Sequence, residues 1–416
     1  MKVLQINAYF GNGSTGKLTY DLYEFQKKCG IDAYVGYSKD SKYVNDDYHI
    51  MRINNKIGFL IHKYMFHIFG KQWKNSFFKT KKFLKKIDKI NPDIVHLHNI
   101  HDYYINLTLL FKYLKKKNIP VVWTFHDCWA ITGHCSHFFM VDCNKWMNQC
   151  EHCPMQRKGP RSLIFDNSKK CFNIKRKLFN NLSDLTVIPV SNWEKKIIEK
   201  SFLTNVKIET IYNWVDSEKF KLKSIEEKNE LKKINNMKEK KIILSVSPYW
   251  NENKGIYDIV ELANKLSDEY LVILIGKNVY NLTFPTNVLL LGYIPNEKLR
   301  DYYVMADIFL NLSKCESFGL TTLEALSCGT PCIVYNVSAC PEVVGTDKKC
   351  GLVIKYDKDR VDNIYNGIKS IEKNEYSNYI KNCNMRVNNN FYKKTQLQKY
   401  INIYNKIYDE KKVNKK

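Results

Sequence analysis

The segment ESFGLTTLEALSCGTPCIVY, residues 316–335, predicts a helix followed by a strand. TTLEALSC favours a short helix that ends at Gly329. PCIVY is a short apolar run, which is typical of a strand buried on both faces. Residues 317–321 lead into the helix, and their backbone amides at the positive end of the helix dipole are suited to bind a diphosphate. A helix that leads into a buried strand indicates an α/β fold.

Short apolar runs similar to PCIVY recur along the chain, separated by stretches with helical patterning. Because their hydrophobicity is continuous rather than alternating, they predict buried strands in parallel sheets. The runs are KVLQI (2–6), AYVGY (33–37), DIVHLH (93–98), PVVWTF (120–125), LTVIPVS (185–191), KIILSVS (241–247), YLVILIG (270–276), VLLLGY (288–293), DIFLNLS (307–313) and PCIVY (331–335). These two sets of five predict two doubly wound α/β domains with a cleft between them, whose ligands bind beyond the carboxyl ends of the strands.

A change in composition marks the boundary between the two sets. Residues 217–241 are rich in lysine and poor in apolar side chains, so we interpret them as a solvated helix or linker. A chain of 416 residues is too long for one core. We expect an N-terminal domain over 1–205 with a cysteine-rich insertion at about 133–160, a C-terminal domain over 206–390, and a C-terminal helix over 391–416 that packs back on the N-terminal domain.

The formal net charge of +24 indicates an anionic partner, which can be a phosphorylated substrate, an acidic membrane surface or nucleic acid. No recognition-helix, RNP or zinc-finger spacing is found, so nucleic acid is not the expected partner. The sequence shows neither a signal-peptide pattern nor an apolar run long enough to span a bilayer, and we therefore expect a cytoplasmic protein. Its 13 cysteines are then expected to be mostly reduced.

The glycine-rich stretch QINAYFGNGSTGKL near the N-terminus resembles two phosphate-binding motifs without satisfying either. A P-loop requires Ser or Thr after its lysine, where this chain has Leu18. A nicotinamide fingerprint requires an acidic residue at the end of the second strand, where this chain has Tyr37 and Ser38. The stretch is consistent with an anion-binding turn at a helix N-terminus or with a tight turn that binds nothing.

Glu316 and Glu324 are the acidic side chains of the opening segment. Glu324 falls in the first turn of the predicted helix, where a carboxylate either caps the helix or binds a ligand. Glu316 lies on the preceding loop, where capping does not explain it.

ESFGLTTLEALSCGTPCIVY closely resembles the two-glutamate signature of the retaining glycosyltransferases of family 4, in which two glutamates are separated by seven residues. NKGIYDIVELANKL and LGYIPNEKLRDYYVMADIFLNLS are similar to further segments of that family. INAYFGNGSTGKL, VHLHNIHDYYINLTLLFKYL, VVWTFHDCWAITGHC and SNWEKKIIEKSFL resemble the subgroup that assembles capsular, exopolysaccharide or colanic-acid-type polymers. The resemblance covers nearly the whole chain and implies the GT-B fold, in which two Rossmann-like domains face each other across a cleft.

The resemblance also implies residue roles. Glu316 would bind hydroxyls of the donor sugar, Glu324 the ribose of the nucleotide, and Lys254 the leaving diphosphate, while His126 would contact the transferred sugar. Further donor contacts are implied for Gly13, Gly16, Ile294, Phe318, Gly319, Leu320 and Thr321. One departure is Asn253, which stands where the subgroup has an arginine that also binds the diphosphate.

Four cysteines are concentrated in GHCSHFFMVDCNKWMNQCEHCP: Cys135, Cys143, Cys150 and Cys153. In a reducing compartment such a cluster is suited to a tetrahedral structural zinc ion, and the last two have the usual C-x-x-C spacing. The spacing of the first pair is looser, and His134, His137 or His152 could replace a cysteine ligand. The alternative is a loop of packed thiols.

Residues 71–89 contain eight lysines and one acidic residue, with apolar side chains on one helical face, and follow the apolar stretch IGFLIHKYMFHIFG (57–70). This pattern suits binding to an anionic membrane surface. The alternative is a solvated lysine face on a helix whose apolar side packs against an ordinary core.

The predicted function is transfer of a sugar, with retention of anomeric configuration, from a UDP- or GDP-sugar to a growing surface polysaccharide or a lipid-linked oligosaccharide. No cofactor is expected to be required for catalysis. The enzyme is expected on the inner face of the membrane as a peripheral protein. The alternatives are another nucleotide-sugar enzyme of the same fold, such as an epimerase, or a non-catalytic basic protein that binds membranes or nucleic acid.

Overall fold

The computed structural model describes residues 1–39, 48–158, 160–204, 206–222 and 224–413. The chain divides into two compact units. The N-terminal unit comprises Met1–Ile211 together with Leu397–Lys416, and the C-terminal unit comprises Tyr212–Gln396. Each unit is built on one parallel sheet, as the sequence predicted.

The N-terminal unit has a sheet of seven described strands in the order β3-β2-β1-β4-β5-β6-β7, in which all pairs are parallel. The strands are β1 (Lys2–Ile6), β2 (Asp32–Tyr37), β3 (Ile50–Arg52), β4 (Ile94–Leu97), β5 (Val121–Phe125), β6 (Leu185–Pro189) and β7 (Lys207–Ile208). The helices are α1 (Gly13–Lys28), α2 (Lys56–Phe69), α3 (Phe77–Ile90), α4 (Leu107–Lys117), α5 (Ser168–Phe179) and α6 (Asn192–Glu199). Three one-turn 3-10 helices, Cys128–Ile131, Phe138–Val141 and Lys145–Met147, lie between β5 and α5.

The C-terminal unit has a parallel sheet of six described strands in the order β10-β9-β8-β11-β12-β13. The strands are β8 (Lys241–Trp250), β9 (Tyr270–Asn278), β10 (Val288–Leu290), β11 (Ile308–Asn311), β12 (Cys332–Tyr335) and β13 (Gly351–Ile354). The helices are α7 (Ile225–Ile234), α8 (Ile256–Lys265), α9 (Asn296–Met305), α10 (Leu320–Ser327), α11 (Cys340–Val344), α12 (Arg360–Glu372) and α13 (Tyr376–Phe391). The last helix, α14 (Lys393–Val413), begins in this unit, and its larger part, from Leu397 onward, belongs to the N-terminal unit.

All ten predicted strands are confirmed, and the predicted order of strand and helix in each set is confirmed with them. Three additional strands, β3, β7 and β13, were not predicted. They contain two to four residues each, and most of their side chains are exposed or half-buried. β3 (IMR) and β7 (KI) are too short to show a strand pattern, whereas β13 (GLVI) is an apolar run that the prediction did not include.

Residues 217–241 contain α7, most of whose side chains are exposed or half-buried, but two of its lysines are not solvated as the interpretation of this segment implied. In α7, Lys228 and Lys232 are buried, and their Nζ atoms lie 3.1 and 2.6 Å from the carboxylate oxygens of Asp307. Burial lowers the pKa of both lysines, and Asp307 partly offsets this effect. The sequence pattern did not show this because the partner carboxylate lies far away along the chain.

Candidate functional site

In the C-terminal unit, Lys254 and Glu316 form an ion pair with 2.7 Å between Nζ and Oε1. Lys254 ends a 3-10 turn that follows β8, and the Asn251 side chain caps this turn by accepting from the Lys254 amide. Gly255 comes next with φ of +72°, and a Cβ at this position would lie 2.6 Å from the Cβ of Leu312. Glycine is therefore required at position 255 by a close approach between this turn and Leu312, which follows β11.

The pair is partly buried, with 24% of the Lys254 side chain and 21% of the Glu316 side chain exposed. Burial alone lowers the pKa of Lys254, but the Glu316 carboxylate outweighs burial and raises the pKa above its ordinary value. Lys254 is thus a permanent cation at neutral pH.

The loop that carries Glu316 is fixed by the segment before α11. The Glu316 amide donates to Ser338 Oγ at 3.0 Å, and the Ala339 amide donates to the Glu316 carbonyl oxygen at 3.2 Å. The backbone is therefore held on both sides of the residue, while its side chain bonds to Lys254.

The helix predicted from TTLEALSC is confirmed as α10, and Gly319 is its N-cap with φ of +103°. Only glycine adopts this conformation readily. The Phe318 ring is buried against Tyr212 and Phe391, with ring centres 6.0 and 5.7 Å apart. Asn311 Nδ2 donates to Thr322 Oγ1 at 2.9 Å and ties the first turn of α10 to β11.

Glu324 does not lie in the first turn, so the capping interpretation is wrong: it is the fifth residue of α10. Its Oε2 accepts a hydrogen bond of 2.8 Å from the Tyr303 hydroxyl. Burial and then the Glu324 carboxylate raise the pKa of Tyr303 well above its ordinary value, so the phenol keeps its proton and orients the carboxylate.

Two further features of this unit bear on the predicted donor contacts. Ile294 is half-buried and lies beyond the end of β10, next to Tyr293, whose side chain is 73% exposed. Lys314 was missed by the sequence reasoning: its Nζ lies 3.1 Å from Glu252, and its amide donates to the carbonyl of Asn253 at 2.8 Å. A basic side chain thus lies beside the position where the subgroup has an arginine.

In the N-terminal unit, the glycine-rich turn opens α1 after β1. Gly13 begins the helix with φ of +66°, and Gly16 packs so closely on the turn that a Cβ would lie 2.9 Å from the Cβ of Tyr9. The Gly11 amide donates to the Gly16 carbonyl at 2.8 Å. This geometry explains the glycines as a tight turn, and their predicted contact with the donor stays a prediction.

His126 lies just beyond the end of β5, and its Nε2 is 3.1 Å from Nδ1 of His98. Burial lowers the pKa of His126 to about 4; nearby Asp127 opposes this shift and His101 adds to it. His126 is therefore neutral at physiological pH, so its role at the predicted site would be that of a hydrogen-bonding group rather than a cation.

A buried chain of hydrogen bonds connects His126 to α14. Its links are His126–His98 (3.1 Å), His98–Gln5 (3.0 Å), Gln5–Gln26 (3.0 Å), Gln26–Tyr404 (3.2 Å), Tyr404–His96 (2.6 Å) and His96–Thr124 (2.8 Å). Gln5 donates to Gln26, so the Gln5 oxygen accepts from Nε2 of His98. Nδ1 of neutral His98 is then the acceptor for His126, and the chain holds the proton of His126 on Nε2.

A second cluster lies beside His126, and its residues were not among the predicted site residues. His101 Nε2 lies 2.9 Å from Asp127, and Asp102 lies 3.7 Å from His101 and 3.1 Å from Lys39. Burial lowers the pKa of His101, but Asp127 and Asp102 outweigh burial and raise it to about 10. His101 is therefore an imidazolium at neutral pH, and it is a cation of this cluster together with Lys39.

The outer surface of α2 is unusually apolar. Its exposed side chains follow helical spacing and form one face, made by Ile57, Leu60, Ile61, Tyr64, Met65 and Ile68. At the start of α2 is a cavity of about 500 Å³, whose lining includes Lys39, Arg52 and Lys56. In the segment 71–89, by contrast, the predicted apolar stripe is partly core, because Ile87 of α3 and Trp73, which precedes that helix, are buried. Across the described residues, no helix is long and apolar enough to cross a membrane.

Two family models match the chain. Residues 15–219 match Glycosyltransferase Family 4, and residues 226–393 match Glycosyl transferases group 1. An uncharacterized 41.2 kDa protein in the cps region of Klebsiella pneumoniae is 27% identical over 272 residues, which cover 64% of this chain and 66% of that protein. The putative colanic acid biosynthesis glycosyl transferase WcaC of Escherichia coli is 25% identical over 192 residues, which cover 44% of this chain and 46% of WcaC. The chain thus aligns with less than two thirds of the length of either relative.

Solved structures show the same fold along almost the whole chain. Sucrose-phosphate synthase from Thermosynechococcus elongatus superposes with a TM-score of 0.72 at 16% identity, covering 98% of this chain and 99% of that one. Anabaena Alr3699/HepE in complex with UDP superposes with a TM-score of 0.70 at 16% identity, covering 98% and 100%. At these identities the similarity establishes the GT-B fold alone.

Proposed function

The chain belongs to the glycosyltransferases, with a family 4 domain followed by a group 1 domain, and from this premise we propose that it transfers a sugar from a nucleotide-sugar donor to a growing surface polysaccharide or a lipid-linked oligosaccharide. The observation that carries the proposal is the Lys254–Glu316 pair in the same unit as the α10 N-terminus and Glu324. Relatives named for the cps region and for colanic acid biosynthesis support the class of acceptor.

We propose that the C-terminal unit binds the donor through its diphosphate and its ribose. The α10 N-terminus, with Gly319 as N-cap, offers backbone amides to the diphosphate. Glu324, oriented by Tyr303, accepts from the ribose hydroxyls. The complexes of Alr3699/HepE with UDP and with UDP-glucose support a uridine donor, and a guanosine donor is the alternative.

In the proposed reaction the bond between the anomeric carbon and the diphosphate oxygen breaks, and a bond from an acceptor hydroxyl oxygen forms on the same face of the sugar. The acceptor proton passes to the departing diphosphate. Lys254 stabilises the negative charge that develops on the diphosphate. Glu316 has two tasks, because it binds sugar hydroxyls and holds Lys254 in place. Lys314 is a candidate to supply part of the charge that the arginine supplies in the subgroup.

His126 keeps the role that the family resemblance gives it, contact with the transferred sugar. Its lowered pKa makes it a neutral hydrogen-bond partner, and the chain through His98 and Gln5 fixes its orientation. We therefore expect the activity to show no loss as the pH rises through the ordinary range of histidine titration.

We further propose that the protein acts as a peripheral enzyme on the anionic inner surface of a membrane. The apolar face of α2 points to solvent at helical spacing, and Lys56 and Lys63 lie on the same helix. Such an exposed face is rare on a protein that contacts only water. The basic cavity at the start of α2 would then receive the phosphate group of a lipid-linked acceptor. Sedimentation with vesicles tests this: we expect binding to anionic vesicles that weakens with salt, and binding to neutral vesicles of equal strength would contradict the proposal.

A transfer assay tests the proposed activity. The purified protein is incubated with radiolabelled UDP- and GDP-sugars and with lipid-linked acceptors extracted from membranes. We expect label in the lipid fraction and release of the matching nucleoside diphosphate. The Glu316→Ala variant should react about 100-fold more slowly than the wild type, or slower still. The matched control Glu239→Ala changes an 87% exposed glutamate of the same unit and should leave the rate unchanged. Label that stays in a free nucleotide sugar with an altered sugar would instead indicate an epimerase.

A further inference from the structure

The long connection between β5 and α5 contains four cysteines around one small cavity. Cys135, Cys143, Cys150 and Cys153 all line a space of about 10 Å³, large enough for one ion or one water molecule. Between Asp127 and Asn167 the described regular structure consists only of three one-turn 3-10 helices. A connection of this length without helices or strands is uncommon unless something else holds it.

The four thiols are free of disulfides in the described chain, and Cys135 is the most deeply buried of them. The Gly133 amide donates to Cys150 Sγ at 3.2 Å. Amide donors of this kind accompany metal-bound thiolates, because they stabilise the charge on sulfur. No three metal-ligating side chains of the described residues already stand in coordination geometry, so binding requires the thiols to rotate toward the cavity.

Two buried polar atoms around the same cavity lack a hydrogen-bond partner among the described residues. They are Nε2 of His134, whose residue is 3% exposed, and the indole Nε1 of Trp146, whose residue is 2% exposed. An unsatisfied buried N–H costs about 1–3 kcal/mol. A cluster of thiolates in the cavity would provide the acceptors that these nitrogens lack.

Positive charge surrounds the cavity as well. Lys145 lines it and donates to the carbonyls of Glu151 and His152 at 3.0 and 3.2 Å. The buried Lys175 donates to the carbonyls of Trp129 and Thr132 at 2.7 and 3.0 Å. A zinc ion with four thiolates carries a net negative charge, which these two ammonium groups would offset.

We propose that Cys135, Cys143, Cys150 and Cys153 bind one structural zinc ion. Each of the four thiols gives up its proton to solvent when the metal binds. The ion would join distant parts of the connection between β5 and α5. The Cys135 carbonyl accepts a hydrogen bond from the Thr132 hydroxyl, and the Thr132 carbonyl accepts one from Lys175. The metal thereby fixes the segment that begins directly after His126 and Asp127, without taking part in the reaction.

The test is the zinc content of the full-length protein, measured by mass spectrometry after purification from zinc-supplemented medium. We expect about one zinc ion per chain, and a more than tenfold lower content in the double variant Cys150→Ser/Cys153→Ser. The control Cys29→Ser alters an exposed cysteine of the same unit and should retain the metal. The variant His134→Ala should also retain it, and loss of zinc there would refute the four-cysteine ligand set.

A second measurement keeps the test independent of how the double variant folds. Wild-type protein that has been stripped of metal is titrated with Co²⁺, and we expect the intense sulfur-to-metal charge-transfer and ligand-field bands of a tetrahedral tetrathiolate site. Wild-type protein that contains no zinc and gives no such bands would overturn the proposal. Donor binding in the C-terminal unit is measured separately, so failure here is distinguishable from failure of the proposed function.

Discussion

Substitution of Lys254 by alanine should separate the structural role of the Lys254–Glu316 pair from its role in the reaction. At 2.7 Å and an effective dielectric constant of about 20, the direct attraction between the two charges is about 6 kcal/mol. Desolvation of the two charges offsets most of it. Because about a quarter of each side chain is exposed, we expect Lys254→Ala to lower the free energy of unfolding by about 1–2 kcal/mol, between the values for surface and buried pairs.

The effect on activity should be larger. Loss of one fixed positive group that stabilises developing charge costs about 2.7–4 kcal/mol, or about 10²–10³-fold in rate. The double variant Lys254→Ala/Glu316→Ala no longer has an unpaired carboxylate, so it should regain most of the lost stability. It should not regain activity, because both groups that we propose to contact the donor are absent.

Urea unfolding and the transfer assay provide the two readouts. The control is Lys265→Ala, which removes an exposed lysine that pairs with Asp362 in the same unit and should change stability by less than about 1 kcal/mol and leave the rate unchanged. Activity of Lys254→Ala within about fivefold of the wild type would refute the proposed role of Lys254. Recovery of activity in the double variant would also refute it.

Three further predictions concern the N-terminal unit. The pKa of His101 is raised from 6.5 to about 10, so its contribution to stability is complete below pH 6.5 and is lost as the pH rises toward 10; melting curves over this window should show a smaller pH dependence for His101→Gln than for the wild type. Tyr404→Phe removes the hydroxyl that Gln26 and His96 share, and it should lower the free energy of unfolding, measured in urea, by about 1–3 kcal/mol. A loss of less than about 0.5 kcal/mol would contradict the hydrogen-bond chain. Ile61→Glu should weaken binding to anionic vesicles at least about tenfold, because it places a negative charge on the apolar face of α2, whereas Ile234→Glu, at an exposed position on α7, should have no effect on it.

The sheets and their helices could be predicted because the central strands are buried on both faces and therefore read as continuous apolar runs. The same reasoning failed at the sheet edges, where β3, β7 and β13 are short and partly exposed. It also missed the burial of Lys228 and Lys232 in α7, since this burial depends on Asp307, about 75 residues later.

The candidate site was predictable where residues are close in sequence and fixed by backbone geometry. The turn at Gly319 and the helix after it follow from local sequence alone. The pairing of Lys254 with Glu316, the bond from Tyr303 to Glu324 and the position of Lys314 beside Asn253 depend on which loops the sheet brings together. The hydrogen-bond chain from His126 to Tyr404 joins five elements of the fold, and no sequence spacing indicates it.

Calorimetric titration of the full-length protein with UDP and with GDP tests the central claim most directly. We predict that one of the two binds, and that Glu324→Ala weakens its affinity by about 1.5–3 kcal/mol, or roughly tenfold to hundredfold, through loss of charged hydrogen bonds to the ribose. The control Glu239→Ala should bind as the wild type does. If neither nucleotide binds to folded protein, or if Glu324→Ala binds as tightly as the wild type, the proposed donor site is wrong.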